Sequence, residues 1–320
     1  MAPVPPSRTV SVVVPVYNSA ATLPALVERL NAALQPLVPE FEIILVNDAS
    51  RDDSWNVIAQ LSLSDRRVRG IDLARNQGQH NALLCGFRDA RFEVIVTLDD
   101  DLQHRPEEIV TLLEKLEDGY DVVYGARKAH GHGLLRNVAS RITKIALQTA
   151  MGAETAETLS PFRALRTSVR NAFAGYHGPY VNIDVLLTWG TSRFGAVQVT
   201  HVPRESGASN YTVRLLLRHA LNMITGFSTM PLKMASLMGF VFTAFGMAVL
   251  VFVLARYALS GGGTPGFPFL ASIIAIFSGA QLFAIGMIGE YLARMHFRLM
   301  DQPAYVVRGT TLPVHEKDAI

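Results

Sequence analysis

Five short strand-like segments recur between Val10 and Tyr124, most of them apolar, and each leads into a loop that carries polar residues. They are Val10–Val16, Phe41–Val46, Val68–Leu73, Val94–Leu98 and Asp121–Tyr124. Most are rich in β-branched residues and lack strict polar/apolar alternation, which predicts strands buried on both faces of a parallel sheet. Segments of helical spacing separate them. Leu23, Leu26, Val27, Leu30 and Leu34 follow a start at Thr22 and Pro24. Trp55, Ile58, Ala59 and Leu61 form a second such set, Asn81 to Ala90 a third, and Ile109 to Leu116, closed by Gly119, a fourth. Strand and helix in alternation predict an α/β fold with a doubly wound, mainly parallel sheet. Right-handed crossovers then bring the loops after all five strands to one edge.

The fourth of those loops is the most charged. Val94 to Leu98 runs directly into Asp99, Asp100 and Asp101, followed by Leu102, Gln103 and His104. Pro106 suits the first turn of a helix, and Glu107 and Glu108 suit its positive end. The acids therefore sit at the carboxyl edge of the sheet, where open α/β sheets hold ligands. Neighbouring carboxylates repel one another, and a cation relieves the repulsion. Oxygen ligands without a nearby His or Cys pair suit Mg²⁺ or Mn²⁺, ions that often bridge to substrate phosphates. A solvated acidic turn is the plainer alternative. Against it, the other loops carry Asn47 and Asp48, Arg75 and Asn76, and Arg127. Together they describe a cleft with an acidic centre and basic flanks, suited to a metal, a diphosphate and a second anion. No G-x-x-x-x-G-K or G-x-G-x-x-G follows any of the strands, so neither Walker-type ATP binding nor a dinucleotide fingerprint is supported.

Composition narrows the class. The chain has 320 residues, 49% of them hydrophobic and 18% charged, which is long for one domain and greasy for a soluble one. A net charge of +2 gives no reason to expect nucleic-acid binding. Cys85 is the one cysteine, so no internal disulfide can form, as befits a reducing compartment. Met1 to Thr9 is Pro-rich with no long apolar stretch, so a signal peptide is not expected and the first domain is expected in the cytoplasm.

Past Arg127 the pattern loosens. His130 and His132 lie in a Gly-rich loop and read as solvated. Arg136 to Met151 reads as a helix with Arg136, Ser140, Arg141 and Lys144 near one face, and Thr158–Leu165 and Ala196–Val202 read as strands. Val213 to Phe227 is a basic amphipathic segment, the pattern of a helix lying in a membrane interface. Met234–Ala255 and Pro268–Gly289 carry no charge, and each exceeds the ~20 residues needed to cross a bilayer. Arg214, Arg218 and Lys233 precede the first run, and Arg294, Arg298 and Arg308 follow the second. The positive-inside rule then predicts a hairpin with both ends in the cytoplasm. The expected division is a catalytic domain at 1–211, an interfacial helix at 212–230, a transmembrane hairpin at 231–294 and a cytoplasmic tail at 295–320.

These elements, in this order, resemble one family. Pro15-Val-Tyr-Asn18, Val46-Asn-Asp-Ala-Ser50, Arg75-Asn-Gln-Gly78, Leu98-Asp-Asp-Asp-Leu-Gln103, Tyr124-Gly-Ala-Arg127, the loop with Arg204, Gly207, Ser209 and Tyr211, Phe227-Ser-Thr-Met-Pro-Leu232 and Gly289-Glu-Tyr-Leu292 carry the likeness. The chain resembles the polyprenyl-phosphate glycosyltransferases, the dolichyl-phosphate mannose synthase-like branch of the family 2 GT-A transferases, in a bacterial form with two membrane helices. The resemblance implies that Pro15, Tyr17, Asn18, Asp48, Asn76 and Asp100 bind a nucleotide-sugar. It implies that Asp99, Asp101 and Gln103 hold Mg²⁺ or Mn²⁺, that Arg127, Arg136 and Ser140 receive the lipid phosphate, and that Arg204 closes on the phosphates. Asp99, Asp101, Arg127 and Arg204 would be the catalytic set. It further implies a homo-oligomer, a tetramer, in the bacterial inner membrane. A UDP-sugar is the favoured donor and GDP-mannose the alternative. The chain departs from the family at Ser19, where Glu is usual, at Gln77, where an aromatic is common, and at Glu157 and Pro161.

The chemistry is self-consistent. A phosphate monoester is mostly dianionic at neutral pH, so it is already a nucleophile and needs no Ser-His-Asp triad. What the reaction needs is cationic positioning and a neutralised leaving group. Two readings compete with it. A processive polysaccharide synthase of the same superfamily usually carries a Gln-x-x-Arg-Trp motif, and neither Trp55 nor Trp189 follows an Arg. A membrane scaffold or transport subunit would be favoured by ionisable groups inside the two spans, which contain none.

Overall fold

A computed structural model describes residues 8–127, 159–178, 181–200, 230–260, 266–300 and 302–311. The chain divides into two compact units, 1–211 together with 301–320, and 212–300.

The first unit is built on an eight-stranded sheet. Its strands are β1 (Val10–Val16), β2 (Phe41–Asn47), β3 (Val68–Leu73), β4 (Val94–Thr97), β5 (Val122–Arg127), β6 (Arg163–Arg166), β7 (Phe194–Val199) and β8 (Val307–Thr310). Their order across the sheet is β7-β5-β6-β4-β1-β2-β3-β8. β1 pairs in parallel with β2 and β4, and β2 with β3. β6 lies antiparallel between β4 and β5, which leaves those two strands pointing the same way. All five strands read from the sequence therefore share one carboxyl edge. β6 begins at Arg163 and β7 ends at Val199, a shorter and a shifted version of the strands expected there.

Helices cover both faces. On one, α1 (Leu23–Leu34), α2 (Ser54–Ser64) and α4 (Ile109–Glu117) bury Leu26, Leu30, Ile58 and Leu112 against Val12, Val14 and Ile43. Each fully buried aliphatic side chain contributes about 1.5–3 kcal/mol. On the other face α3 (Gln79–Asp89) packs against β1 and β2. It comes so close that a Cβ at Gly86 would strike the Val13 side chain. α5 (Ile183–Gly190) was not foreseen; Asn182 caps it, its side-chain oxygen accepting the Val185 N–H at 3.2 Å.

The tail expected at 295–320 contains a strand. The second apolar helix, α7, spans Phe267–Leu299, and after it β8 pairs antiparallel with β3. The second unit holds α6 (Met230–Ser260) and α7, with Phe242 and Phe277 ring-to-ring at 6.1 Å. Their windows Ala235–Val253 and Ile276–Ala293 are long and apolar enough to cross a membrane, and neither window is buried. The second window lies further along than expected and includes Glu290.

Candidate active site

The carboxyl edge of the sheet forms a cleft of about 310 Å³ lined by residues from four loops. Pro15 and Val16 end β1 and Tyr17 follows them, Asp48 comes from the loop after β2, Asn76 and Gly78 from that after β3 with Gln79 opening α3, and Asp99, Asp100 and Asp101 from the loop after β4. The structure thus gathers Pro15, Tyr17, Asp48, Asn76, Asp99, Asp100 and Asp101 from positions far apart in the chain. Asn18 and Gln103 do not line the cleft. The Asn18 side chain accepts the Arg51 N–H at 2.8 Å, and the Gln103 N–H donates to Asp101 Oδ1 at 3.1 Å. Arg127 stands at the carboxyl end of β5, paired with Val199 of β7. Arg136, Ser140 and Arg204 lie outside the described residues, as do the helix read at Arg136–Met151 and the amphipathic segment Val213–Phe227.

Hydrogen bonds tie the four loops together. The Tyr17 N–H donates to Asp100 Oδ2 at 3.0 Å, and the Thr22 hydroxyl to the Asp100 carbonyl at 2.7 Å. Asp48 accepts the Gln77 N–H on one oxygen at 2.7 Å and the Gly78 N–H on the other at 2.8 Å. Gly78 has φ +90°, a conformation glycine adopts without strain, and it opens α3. Gln79 Nε2 donates to Asp99 Oδ1 at 2.6 Å, bridging the third and fourth loops. Gln79 was not singled out from the sequence; its place just after the turn glycine was the available signal.

Charge is concentrated here. Burial pushes the Asp48 carboxyl above the ordinary Asp range, against the pull of its two backbone N–H bonds. Burial does the same to Asp100, opposed by hydrogen bonds from Ser19 and the Tyr17 N–H and reinforced by the charge of Asp101. Among the described residues three non-glycines have positive φ: Asn18 (55°), Ala49 (51°) and Leu102 (60°). Each follows a different strand of this edge. Such conformations cost about 1–3 kcal/mol apiece and persist where the surroundings over-determine them.

The acids fit a divalent cation on the chemistry of their donors. Asp99 and Asp101 offer carboxylate oxygens to the same cleft with no softer ligand beside them. Among the described residues no group of three or more His, Cys, Asp or Glu is arranged to hold a metal ion. An ion here would take its remaining ligands from phosphate and water, as Mg²⁺ and Mn²⁺ commonly do.

Sheet, helices and acidic carboxyl edge define a GT-A-type fold. The Glycosyl transferase family 2 profile matches residues 11–173. The undecaprenyl-phosphate 4-deoxy-4-formamido-L-arabinose transferase of Shewanella sediminis is 35% identical over 302 residues, covering 93% of this chain and 91% of that protein. The enzyme of the same name from Serratia proteamaculans is 35% identical over 314 residues, covering 96% and 95%. This chain belongs to glycosyl transferase family 2. Among solved structures, glucosyl-3-phosphoglycerate synthase from Mycobacterium tuberculosis, in complex with Mn²⁺, UDP and glucosyl-3-phosphoglycerate, aligns with a TM-score of 0.51. Identity is 16%, over 68% of this chain and 78% of that one, so the likeness is one of fold.

Proposed function

We propose that this protein is a membrane-bound, inverting glycosyltransferase that moves a sugar from a nucleotide-sugar to a polyprenyl phosphate. The observation that carries it is the cleft at the carboxyl edge, where Asp99 and Asp101 meet Asp48 and Tyr17 in a family 2 chain that also has two exposed apolar helices. The relatives' names, undecaprenyl-phosphate sugar transferases matched over nearly their whole length, support the acceptor class. Mn²⁺ and UDP in the mycobacterial fold relative support a metal-dependent, UDP-linked donor.

In this reading Pro15, Tyr17, Asp48 and Asn76 line the nucleotide pocket, with Asn18 and Asp100 holding the loops that shape it. Asp99 and Asp101, with Gln103 close by in the chain, would hold Mg²⁺ or Mn²⁺, and the ion would supply neutralisation of the donor diphosphate. A phosphate oxygen of the acceptor attacks the anomeric carbon while the bond from that carbon to the nucleoside diphosphate breaks. The pair of electrons leaves with the diphosphate, and configuration inverts. Arg127, Arg136, Ser140 and Arg204 receive and close on the two phosphates. The product, a polyprenyl-monophosphate sugar, suits a cell-envelope glycosylation step.

Both ends of the α6–α7 hairpin are covalently continuous with the same catalytic unit. That favours two crossings with the catalytic domain and both termini in the cytoplasm. Reporter fusions at Ala2 and Ile320 should read cytoplasmic and one at Gly262 external; an external Ile320 would break this topology. The function itself is tested by sugar-nucleotide-dependent labelling of undecaprenyl phosphate in membranes. UDP-linked sugars, including 4-deoxy-4-formamido-L-arabinose, come first in the donor panel and GDP-mannose next. No labelling of the lipid by any donor would refute the proposal.

A further inference from the structure

We infer that Arg308, on the strand that follows the second apolar helix, is a positioning residue for the nucleotide loop after β3. The inference rests on the reading of the carboxyl-edge cleft as a nucleotide-sugar site. β8 adds to the edge of the sheet in the register Asp72↔Gly309 and Leu73↔Val307, with a bulge between Asp72 and Leu73. That irregularity falls where β3 gives way to the loop. The ladder nevertheless continues past the strand end, since the Ala74 N–H donates to the Val306 carbonyl at 2.8 Å. Arg308 Nη2 donates to the Ala74 carbonyl at 2.7 Å, and its Nη1 lies 3.5 Å from Asp72 Oδ2. Asp72 is buried, and its other oxygen accepts the Asn47 side-chain amide at 2.7 Å.

Ala74 is thus held on both its peptide groups, by Val306 just before β8 and by Arg308 within it. The four residues after it, Arg75 to Gly78, make the loop whose Asn76 and Gly78 line the cleft. Asp48 grips the far end of that loop through the Gln77 and Gly78 N–H groups. The loop is pinned at one end from inside the cleft and at the other by Arg308. The Arg308 side chain is 60% exposed, so its pairing adds little to global stability. Its effect is local: a charge-assisted hydrogen bond to a single carbonyl fixes where the loop departs from the sheet. The other end of β8 offers a control. There the Thr311 hydroxyl accepts the Gly70 N–H at 2.8 Å, and its own N–H donates to the Gly70 carbonyl at 3.0 Å. That contact pairs the strand without touching the loop.

The test uses the full-length protein in nanodiscs, with UDP and Mn²⁺ binding measured by calorimetry and donor and acceptor KM by lipid labelling. Arg308→Ala is expected to weaken UDP binding and raise donor KM about tenfold, the scale of one well-made charge-assisted bond. Acceptor KM and thermal midpoint stay at wild-type values, and Arg308→Lys restores part of the loss. Thr311→Ala is expected to lower the thermal midpoint without changing UDP binding. A change of less than about twofold in UDP binding for Arg308→Ala overturns the inference, as does an equal loss in Thr311→Ala. Wild type that binds UDP but labels no lipid would refute the proposed reaction, and Arg308 would still be judged on binding. Wild type that binds no nucleotide would overturn both.

Discussion

Arg163 and Asp184 form an ion pair in the interior of the catalytic unit, directly behind the acidic edge. Arg163 is the first residue of β6, opposite Thr97 of β4, and its side chain is 2% exposed. Its Nε donates to the Thr97 hydroxyl at 3.2 Å, and the Tyr124 hydroxyl donates to Asp184 Oδ1 at 3.0 Å. Burial works against the Arg163 charge, yet Asp184, Tyr124 and Asp99 together hold its pKa above the ordinary value. The pair therefore joins β4, β5, β6 and α5 just beneath Asp99, two residues beyond Thr97.

Breaking this pair on one side should be costly. Asp184→Asn leaves a buried guanidinium uncompensated and is expected to destabilise the catalytic unit by about 3 kcal/mol. Arg163→Met combined with Asp184→Leu should recover most of that loss, because neither charge then remains buried. A double-mutant cycle on denaturant midpoints measures the coupling. Additive single effects below about 1 kcal/mol would show the pair to be energetically idle.

The three acids should separate by role. Asp99→Ala or Asp101→Ala is expected to abolish sugar transfer and Mn²⁺-dependent nucleotide binding. Asp100→Ala instead frees the Tyr17 N–H, so it should raise donor KM and leave residual turnover. Activity that survives in chelator, together with full activity in both outer-acid variants, would remove the metal from the site.

Acid stability should depend on Glu42. Burial alone would raise this carboxyl, but the Arg91 N–H, the Ser11 hydroxyl and the Arg69 and Arg91 guanidiniums bring it below the ordinary Glu value. A lowered folded pKa means the stabilisation is complete above the ordinary carboxyl range and is lost as pH falls through the folded value. Glu42→Gln is expected to cost about 2 kcal/mol at neutral pH. The gap from wild type should narrow on acidification below pH ~4. A gap independent of pH in urea titrations would contradict it.

Much of this fold was legible because its central strands are buried on both faces. Val10–Val16 and Phe41–Val46 had to be apolar almost throughout, and polar residues such as Asp48 and Asp99 stood out where the runs stopped. β8 was not legible. Val307-Arg-Gly-Thr310 is a mostly exposed edge strand whose register comes from Gly70–Ala74, far away in sequence. β6 was found only roughly, and its antiparallel insertion between β4 and β5 is a tertiary outcome that no local pattern encodes. Arg163 did leave a trace, a charge inside the apolar stretch Pro161-Phe-Arg-Ala-Leu165, and charges in such places are paired or functional. The sequence suggests only a nucleotide role for Asp48; that it holds the Gln77–Gly78 turn depends on loop geometry that sequence alone does not reveal.

The proposed acceptor site is built on arginines. Arg127 ends β5 on the same sheet edge as the acids, and Arg136 and Ser140 follow it in the chain. A polyprenyl phosphate must bring its headgroup to the cleft while its tail stays in the bilayer. A desolvated dianion needs paired cations, since burying it unpaired is costly. Arg offers a bidentate fork that Lys lacks. Arg127→Ala and Arg136→Ala are therefore expected to weaken use of undecaprenyl phosphate at least about tenfold, the scale of 1.4 kcal/mol. Nucleotide-sugar binding measured without lipid should stay near wild type, and Arg127→Lys should recover only part of the loss. Impaired donor binding with unchanged acceptor dependence would move both arginines to the donor diphosphate and leave the lipid phosphate to other groups.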